Sequence, residues 1–257
     1  MDILRPTKGT YLWNGKPGSN EQRRQIGTLL ETPNFYHYLS GHKNLQIAAA
    51  IKERGKEDIP KVLEKVNLSQ RKDSKFSTYS LGMKQRLAIA STLLGDPDIL
   101  VFDEPTNGLD PAGIAEIREL IRQLNRQGKT IIMASHILDE VEKVCTHVAI
   151  IQKGDLKTIG TVQDVLNASP ADKVVRVDIE LAADNMAALE SILKGLPGIL
   201  EIHNNGTDLS IHAEEYVTPA SVNKFCFEKG VVLNQLNLKR KSLETRFLEI
   251  TGTQSDR

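Results

Sequence analysis

The sequence of 257 residues lacks the marks of a protein that crosses a membrane by itself. It contains no uninterrupted apolar run close to the roughly 18–20 residues that a spanning helix requires. Its N-terminus also carries no signal-peptide pattern. We therefore expect any role at a membrane to depend on a separate membrane protein.

The sequence has few cysteines and no net charge. Only Cys145 and Cys226 are present, far apart and without metal-ligand spacing, so we expect free thiols in a reducing cytosol. Lys and Arg total 33, as do Asp and Glu, so there is no electrostatic case for binding nucleic acid or an anionic membrane. The 40% hydrophobic content suits a packed soluble protein.

The most informative stretch is Ile99–Phe102, four apolar residues followed by Asp103 and Glu104. Such a run predicts a strand buried on both faces, as in parallel sheets, and open α/β sheets bind ligands at the carboxyl ends of their strands. One carboxylate there can hold hydrated Mg²⁺, and the other can orient or deprotonate an attacking water. Taken alone, the pair could equally be two solvated acids in a turn.

A helix with phosphate-binding potential is predicted before this strand, from Leu81 to about Leu94. Ser80 is a good N-cap for it, and free amides at a helix N-terminus attract phosphate. Gly82 lowers the stability of the first turn by about 1 kcal/mol relative to alanine, a cost that close approach to a ligand would explain. Ordinary capping is the alternative for Ser80.

A histidine is predicted to follow the next buried strand, Thr130–Ala134. We expect Ser135 to cap a helix over Ile137–Cys145, with His136 at its N-terminus. The helix dipole there favours neutral imidazole. Such a histidine can hydrogen-bond a phosphate and an attacking water without acting as the base.

In order and spacing these segments resemble the nucleotide-binding subunit of ATP-binding cassette (ABC) transporters, over roughly residues 9–160. Asp103 matches the Walker B aspartate and Glu104 the catalytic glutamate. The segment Tyr79–Met83 stands at the LSGGQ signature, keeping the serine and the second glycine, but with Met83 in place of glutamine. Asn107–Asp110 matches the D-loop, and His136 the switch histidine.

The resemblance implies an ABC-type ATPase in which Asp103 holds Mg²⁺, Glu104 activates water and His136 contacts the γ-phosphate of ATP. It also places two residues, Ser80 and Gly82, over the γ-phosphate held by an opposite subunit.

Two further positions carry competing interpretations. Asp110 would communicate across the dimer, although capping the helix that starts at Pro111 is sufficient to explain it. Glu31 stands where the family usually has the Q-loop glutamine. It can accept hydrogen bonds or approach Mg²⁺, and a solvated loop acid is the alternative.

The family's Walker A loop, G-x-x-x-x-G-K-[ST], has no match in this sequence. Gly128-Lys129-Thr130 does not qualify, because Gln123 occupies the first glycine position and the segment leads from a helix into a strand. We therefore expect an N-terminally incomplete cassette, from a misplaced start or a truncated gene. The alternative is a degenerate subunit that supplies only the signature half of a heterodimeric site. A non-transport ABC-type ATPase is the third possibility. It ranks last, because the sequence shows neither the tandem cassettes nor the coiled-coil heptads typical of that class.

The predicted fold class is α/β, an ABC-type P-loop ATPase core over 1–168 with a helical subdomain at about 33–94. Three aromatic residues of that subdomain suit either an interface with another protein's helix or local packing: Phe35, Tyr36 and Tyr38. The implied partners are a transmembrane permease and a second ATP-binding subunit, in a homo- or heterodimer. The resemblance further implies a location at the inner face of the cell membrane, and export.

A second domain is predicted at 173–257, after a linker at Ser169–Ala171. Its β-α-β-β-α-β order predicts a small α+β module of the ferredoxin-like type. His203 and His212 fall in its strands, and we expect them to be structural, without an acidic or cysteine partner at ligand spacing.

Overall fold

The computed structural model describes residues 7–13, 15–167, 176–214, 216–239 and 242–252. The chain divides into two compact units, Met1–Val144 and Cys145–Arg257. Within the described residues no helix has the length and apolar character needed to cross a membrane.

The first unit combines a small parallel sheet with a layer of helices. Its elements in chain order are β1 (Leu12–Trp13), β2 (Lys16–Pro17), α1 (Asn20–Arg24), β3 (Ile26–Leu29), α2 (Gly41–Lys52), α3 (Ile59–Lys65), α4 (Leu81–Thr92), β4 (Ile99–Asp103), α5 (Pro111–Arg126), β5 (Thr130–Ala134) and α6 (Leu138–Val144). Short 3₁₀ turns at Ser69–Arg71 and Phe76–Thr78 join α3 to α4.

The sheet has the order β3-β4-β5, and both pairings are parallel, as predicted for the central strand. In the register, Leu29 pairs with Phe102, and Asp103 with Ala134. The carboxyl ends of β4 and β5 therefore lie side by side at one edge of the sheet.

The expectations that β4 is buried on both faces and that β5 is a buried strand are both wrong. Leu100 and Phe102 are fully buried, whereas Ile99 and Val101 are only partly buried, and Ile132 of β5 is 49% exposed. Helices α4 and α5 pack in one core with the face that carries Leu100 and Phe102. Because side chains alternate along a strand, the residues between them point to the less covered face.

Helix α4 lies between the sheet and helices α2 and α3. The consecutive residues Leu87, Ala88 and Ile89 are all buried, because α4 has neighbours on two sides. Strand β3 approaches the end of α4 so closely that a Cβ on Gly27 would lie 2.5 Å from the Thr92 carbonyl oxygen. Only glycine fits at this contact.

A buried amine joins the ends of α2 and α4. The Nζ of Lys52 donates to the carbonyl oxygens of Ser91 at 2.7 Å and Thr92 at 3.3 Å. Burial, with a smaller contribution from Arg54, lowers the pKa of Lys52 to about 8. The amine therefore satisfies carbonyl groups at the α4 terminus.

A bidentate ion pair holds α6 on α5. Arg118 donates through Nε to Oε2 of Glu140 at 2.9 Å and through Nη2 to Oε1 at 2.6 Å. Glu140 is buried, and its hydrogen bond raises the pKa of Arg118. Arg122 adds a bond of 2.7 Å from Nη2 to the Lys143 carbonyl oxygen. These contacts fix the helix that directly follows the 135–137 loop.

The ion pair gives a prediction about stability. Arg118→Ala should lower the free energy of unfolding by about 2 kcal/mol, because it leaves the buried Glu140 carboxylate unpaired while the arginine itself is partly exposed. The matched control is Arg126→Ala on the same helix, whose pair with Glu119 is exposed, so a much smaller loss is expected. Urea denaturation of both variants measures the difference. Equal losses would contradict the assigned role of the pair.

The second unit begins with a hairpin and continues into a four-stranded sheet. Its elements are β6 (His147–Gln152), β7 (Asp155–Thr161), α7 (Val162–Asn167), β8 (Arg176–Ala183), α8 (Met186–Leu193), β9 (Ile199–Asn204), β10 (Leu209–Glu214), α9 (Pro219–Glu228), β11 (Leu233–Lys239) and α10 (Leu243–Thr251). Helix α10 packs against α7, and Arg246 donates from Nε to the Val165 carbonyl oxygen at 3.0 Å. The predicted linker Ser169–Ala171 lies outside the described residues, and the predicted domain boundary beside it stays a prediction.

The sheet of this unit has the order β11-β8-β10-β9, antiparallel throughout. Helices α8 and α9 share one core with the sheet residues Ile179, Leu181 and Ile211. The predicted β-α-β-β-α-β module of the ferredoxin-like type is confirmed. Cys226 in its core and Cys145 are both free thiols, as predicted.

Candidate functional site

The carboxyl end of β4 turns sharply at the two predicted acids. Asp103 is exposed, and within the described part of the chain no hydrogen bond or ion pair engages its carboxylate. Glu104 follows with φ +47°, a left-handed conformation that costs a non-glycine residue about 1 kcal/mol. Its amide donates to the Ala134 carbonyl oxygen at 2.9 Å, which continues the β4–β5 ladder by one residue. The turn brings Glu104 to the loop after β5.

Glu104 and His136 are in direct contact there. The His136 amide donates to Oε1 of Glu104 at 2.9 Å. The imidazole Nδ1 lies 2.9 Å from Oε2, although without hydrogen-bond geometry. The Glu104 side chain is 19% exposed and that of His136 is 65% exposed. The carboxylate is thus held in one orientation, while the imidazole remains open to solvent.

The placement of His136 at a helix N-terminus is wrong. The Ser135 hydroxyl accepts from the Ile137 amide at 3.1 Å, a local turn two residues long. Ile137 is the residue whose carbonyl oxygen accepts from Val141, so α6 begins only at Leu138. His136 therefore lies in the loop before the helix.

Glu31 reaches the same edge of the sheet from the loop after β3. Its Oε1 accepts from Nδ2 of Asn107 at 2.8 Å. The Asn107 amide in turn donates to the Glu104 carbonyl oxygen at 3.2 Å. Glu31 is therefore an exposed hydrogen-bond acceptor linked to the loop that follows the two acids.

Ser80 caps α4, with its hydroxyl accepting from the Met83 amide at 3.3 Å. The preceding Tyr79 is buried and donates to the Arg71 carbonyl oxygen at 2.7 Å; burial raises the pKa of its hydroxyl. Gly82 faces open space among the described residues, since a Cβ there would meet none of their atoms within 4 Å. Packing against the described part of the chain therefore does not explain the glycine. Neither Ser80 nor Gly82 has a described contact with the two catalytic candidates.

Asp110 caps α5. Its Oδ1 accepts from the Gly113 amide at 2.9 Å, and Pro111 occupies the first helical position. The predicted cap at Asp110 is confirmed, and its role across a dimer stays a prediction. Two residues before Asp110, Gly108 has φ +72° and lies against Leu81. A Cβ added to this glycine would be 3.3 Å from Leu81 Cδ2. The loop after β4 therefore touches the start of α4.

Several contacts were missed by the sequence reasoning. The sequence predicts no individual role for Asn107, which bonds to Glu31. It also gives no spacing rule that would pair Arg118 with Glu140. The statement that His203 and His212 lack an acidic partner is wrong, because Glu201 lies 3.3 Å from His203. The signal was available: residues two apart in a strand share a face.

The geometry defines an α/β protein with a candidate ligand site at the carboxyl ends of parallel strands. A family model described as "ABC transporter" matches residues 1–107. The uncharacterised ABC transporter ATP-binding protein YhcH of Bacillus subtilis (strain 168) is 38% identical over 257 residues, covering 98% of this chain and 81% of that protein.

Two more comparisons agree. The bacitracin transport ATP-binding protein BcrA of Enterococcus faecalis is 32% identical, again covering 98% of this chain and 81% of that protein. The solved structure of cbiO1 from Clostridium perfringens, part of the ABC transporter complex cbiONQ, superimposes with a TM-score of 0.57. It is 30% identical, covering 63% of this chain and 70% of that one. The chain therefore belongs to the ATP-binding subunits of ABC transporters.

The cap at Asp110 can be tested separately from its charge. Asp110→Ala should lower the free energy of unfolding by about 1 kcal/mol, because the Gly113 amide loses its partner. Asp110→Asn is the matched control and should stay close to the original stability, since asparagine caps equally well. Urea denaturation distinguishes them. A loss of the same size in both variants would show that the charge, not the cap, matters.

Proposed function

We propose that this chain is the ATP-binding and hydrolysing subunit of a transporter, acting at the inner face of the cell membrane through a separate permease. The observation that carries the proposal is the contact between Glu104 and His136 at the ends of two adjacent parallel strands. The exposed carboxylate of Asp103 lies directly before Glu104 in the chain.

The residues at this edge fit a magnesium ion. Asp103 offers a carboxylate with no described protein partner, and Mg²⁺ prefers one or two carboxylates together with waters and phosphate oxygens. Glu31 adds a second carboxylate to the same edge through its bond to Asn107. When bound, the ion would neutralise phosphate charge during transfer.

Glu104 is suited to orient or deprotonate the attacking water. The bond from the His136 amide fixes its Oε1, and the remaining lone pairs stay available to accept a proton. The exposed imidazole of His136 would bind the γ-phosphate. Because one residue supplies both the amide and the imidazole, phosphate binding and carboxylate orientation would be coupled.

The start of α4 would serve a second subunit. Ser80 and Gly82 have no described contact with Glu104 or His136, and the space around Gly82 is open. This supports closure over a nucleotide held by an opposite subunit, with Asp110 communicating across the interface. The alternative is a chain that supplies only this signature half of a heterodimeric site.

Hydrolysis tests the assignment of Glu104. Glu104→Gln should keep Mg-ATP affinity and reduce turnover by about 100-fold or more, because the amide cannot accept the water proton. Turnover is measured for the chain alone and mixed with a complete cassette subunit, and affinity by calorimetry. Glu57→Gln, an exposed glutamate away from the site, is the matched control.

The same assay separates the two proposals. Turnover by the chain alone, lost in Glu104→Gln, supports the hydrolysing subunit. Nucleotide binding seen only in the mixture and lost in Ser80→Ala supports the signature-half alternative. Full turnover by Glu104→Gln would refute the role of Glu104.

A groove in the helical layer is the proposed permease contact. It has a volume of about 380 Å³ and is lined by Asn34, Phe35, Tyr36, Asn44, Ile47, Ala48 and Ile51. Phe35 packs edge-to-face on Phe76 at 5.3 Å, which confirms local packing for that residue. Tyr36 and Tyr38 are exposed, and Ile51 is 76% exposed. A mainly apolar groove with the exposed side chains of Tyr36 and Ile51 in its lining suits an amphipathic helix of the partner.

Substitution within the groove tests this contact. Ile51→Asp should reduce co-purification with the permease at least tenfold, because a carboxylate at the groove wall opposes burial of an apolar helix face. Val232→Asp places the same charge on another exposed apolar residue and should leave co-purification unchanged. Equal recovery of the permease with both variants would place its contact elsewhere.

The proposed cargo is an amphiphilic peptide or drug, and the proposed direction is export. Support comes from the relative named as a bacitracin transport protein, which matches nearly the whole length of this chain. Cells that carry the complete transporter should lose resistance to such a peptide with Glu104→Gln and keep it with Glu57→Gln.

A further inference from the structure

Three side chains with metal-binding atoms meet on the C-terminal sheet. Strands β9 and β10 pair antiparallel, with His212 opposite Glu201 and Ser210 opposite His203. Glu201 and His203 are two residues apart in β9 and therefore share a face. The neighbours Ile211 and Ala213 of β10 are buried under the helices, whereas His212 is partly exposed. The cluster thus lies on the face away from the module's core.

The distances within the cluster suit a single ion. One ligand atom from each of Glu201, His203 and His212 lies within 4.8 Å of the other two. Nε2 of His203 is 3.3 Å from Oε2 of Glu201. The two imidazole rings stand edge to face, with centroids 5.1 Å apart.

The donor set selects the class of metal. Zinc bonds of about 2.0–2.2 Å in a tetrahedron place neighbouring ligand atoms about 3.4 Å apart, so the pair of Glu201 and His203 already has that spacing. Coordination by all three side chains requires the ligand atom of His212, now within 4.8 Å of the other two, to move closer. Two imidazoles favour zinc and its transition-metal neighbours, whereas Ca²⁺ and Mg²⁺ prefer oxygen ligands.

We propose that Glu201, His203 and His212 form a binding site for one divalent transition-metal ion of the zinc class, with water in the fourth position. Strand β9 is the edge strand of its sheet and pairs only with β10 among the described strands. A metal bound by residues of both strands cross-links β9 to β10 through coordination bonds. Binding therefore stabilises the C-terminal module independently of nucleotide.

Calorimetry with zinc chloride tests the site on the full chain, without nucleotide. We expect a site of one zinc per chain with micromolar affinity. His203→Ala and His212→Ala should each weaken it at least tenfold, because two ligands hold a metal far less well than three. His147→Ala is the matched control, since His147 is also an exposed histidine on a strand. Its variant should bind zinc as the original chain does.

Cobalt absorption and thermal stability, together with circular dichroism, distinguish the loss of the metal site from a folding defect. Co²⁺ bound to the original chain should show the strong visible absorption of tetrahedral coordination, and the variant His203→Ala/His212→Ala should lack it. Zinc should raise the Tm of the original chain but not of this variant, while circular dichroism without metal checks that both fold. Glu201→Gln, which keeps the shape of the side chain, should weaken binding as well.

Two results would overturn the proposal. One is the absence of saturable zinc binding by the original chain. The other is the same zinc stoichiometry and affinity in the double histidine variant, which would place the bound ion at other residues.

Discussion

The backbone ladder between β4 and β5 is the constraint on which the candidate site depends. It sets Asp103 opposite Ala134 and ends on the bond from the Glu104 amide to the Ala134 carbonyl oxygen. Because Glu104 then turns into the left-handed region, its carboxylate meets the loop that begins one residue after the ladder. A shift of one residue in this register would reverse the faces of β4 and separate Glu104 from His136.

Packing around the sheet holds this register in place. On one face, α4 approaches β3 closely enough to require Gly27, and the buried residues Leu100 and Phe102 anchor β4 in the same core. Beside it, the bidentate pair of Arg118 and Glu140 fixes α6 immediately after the His136 loop. The site is thus assembled from loops whose ends are held by buried contacts, which is the usual way that α/β sheets support ligand sites.

The residues proposed to act between subunits differ in kind from those proposed to act on the nucleotide of this chain. Ser80 and Asp110 each form a complete N-cap, so their side chains are already used within the fold. Gly82 has no comparable explanation from contacts within the described part of the chain. In the proposed contact with a second subunit, backbone groups at the start of α4 would therefore contribute more than the serine hydroxyl alone.

The sequence by itself determined the parallel strand, the two helix caps and the order of the ferredoxin-like module, because each follows from residues within a few positions of one another. Only the tertiary structure decided which distant groups meet. Glu104 contacts His136, 32 residues later in the chain, and Glu31 contacts Asn107, 76 residues later. Both contacts depend on the register of the strands, which no local sequence pattern specifies. The same reason explains the half-buried faces of β4 and β5 and the meeting of His212 with Glu201. Burial and contact depend on which element covers a strand, and that is settled only when the layers pack.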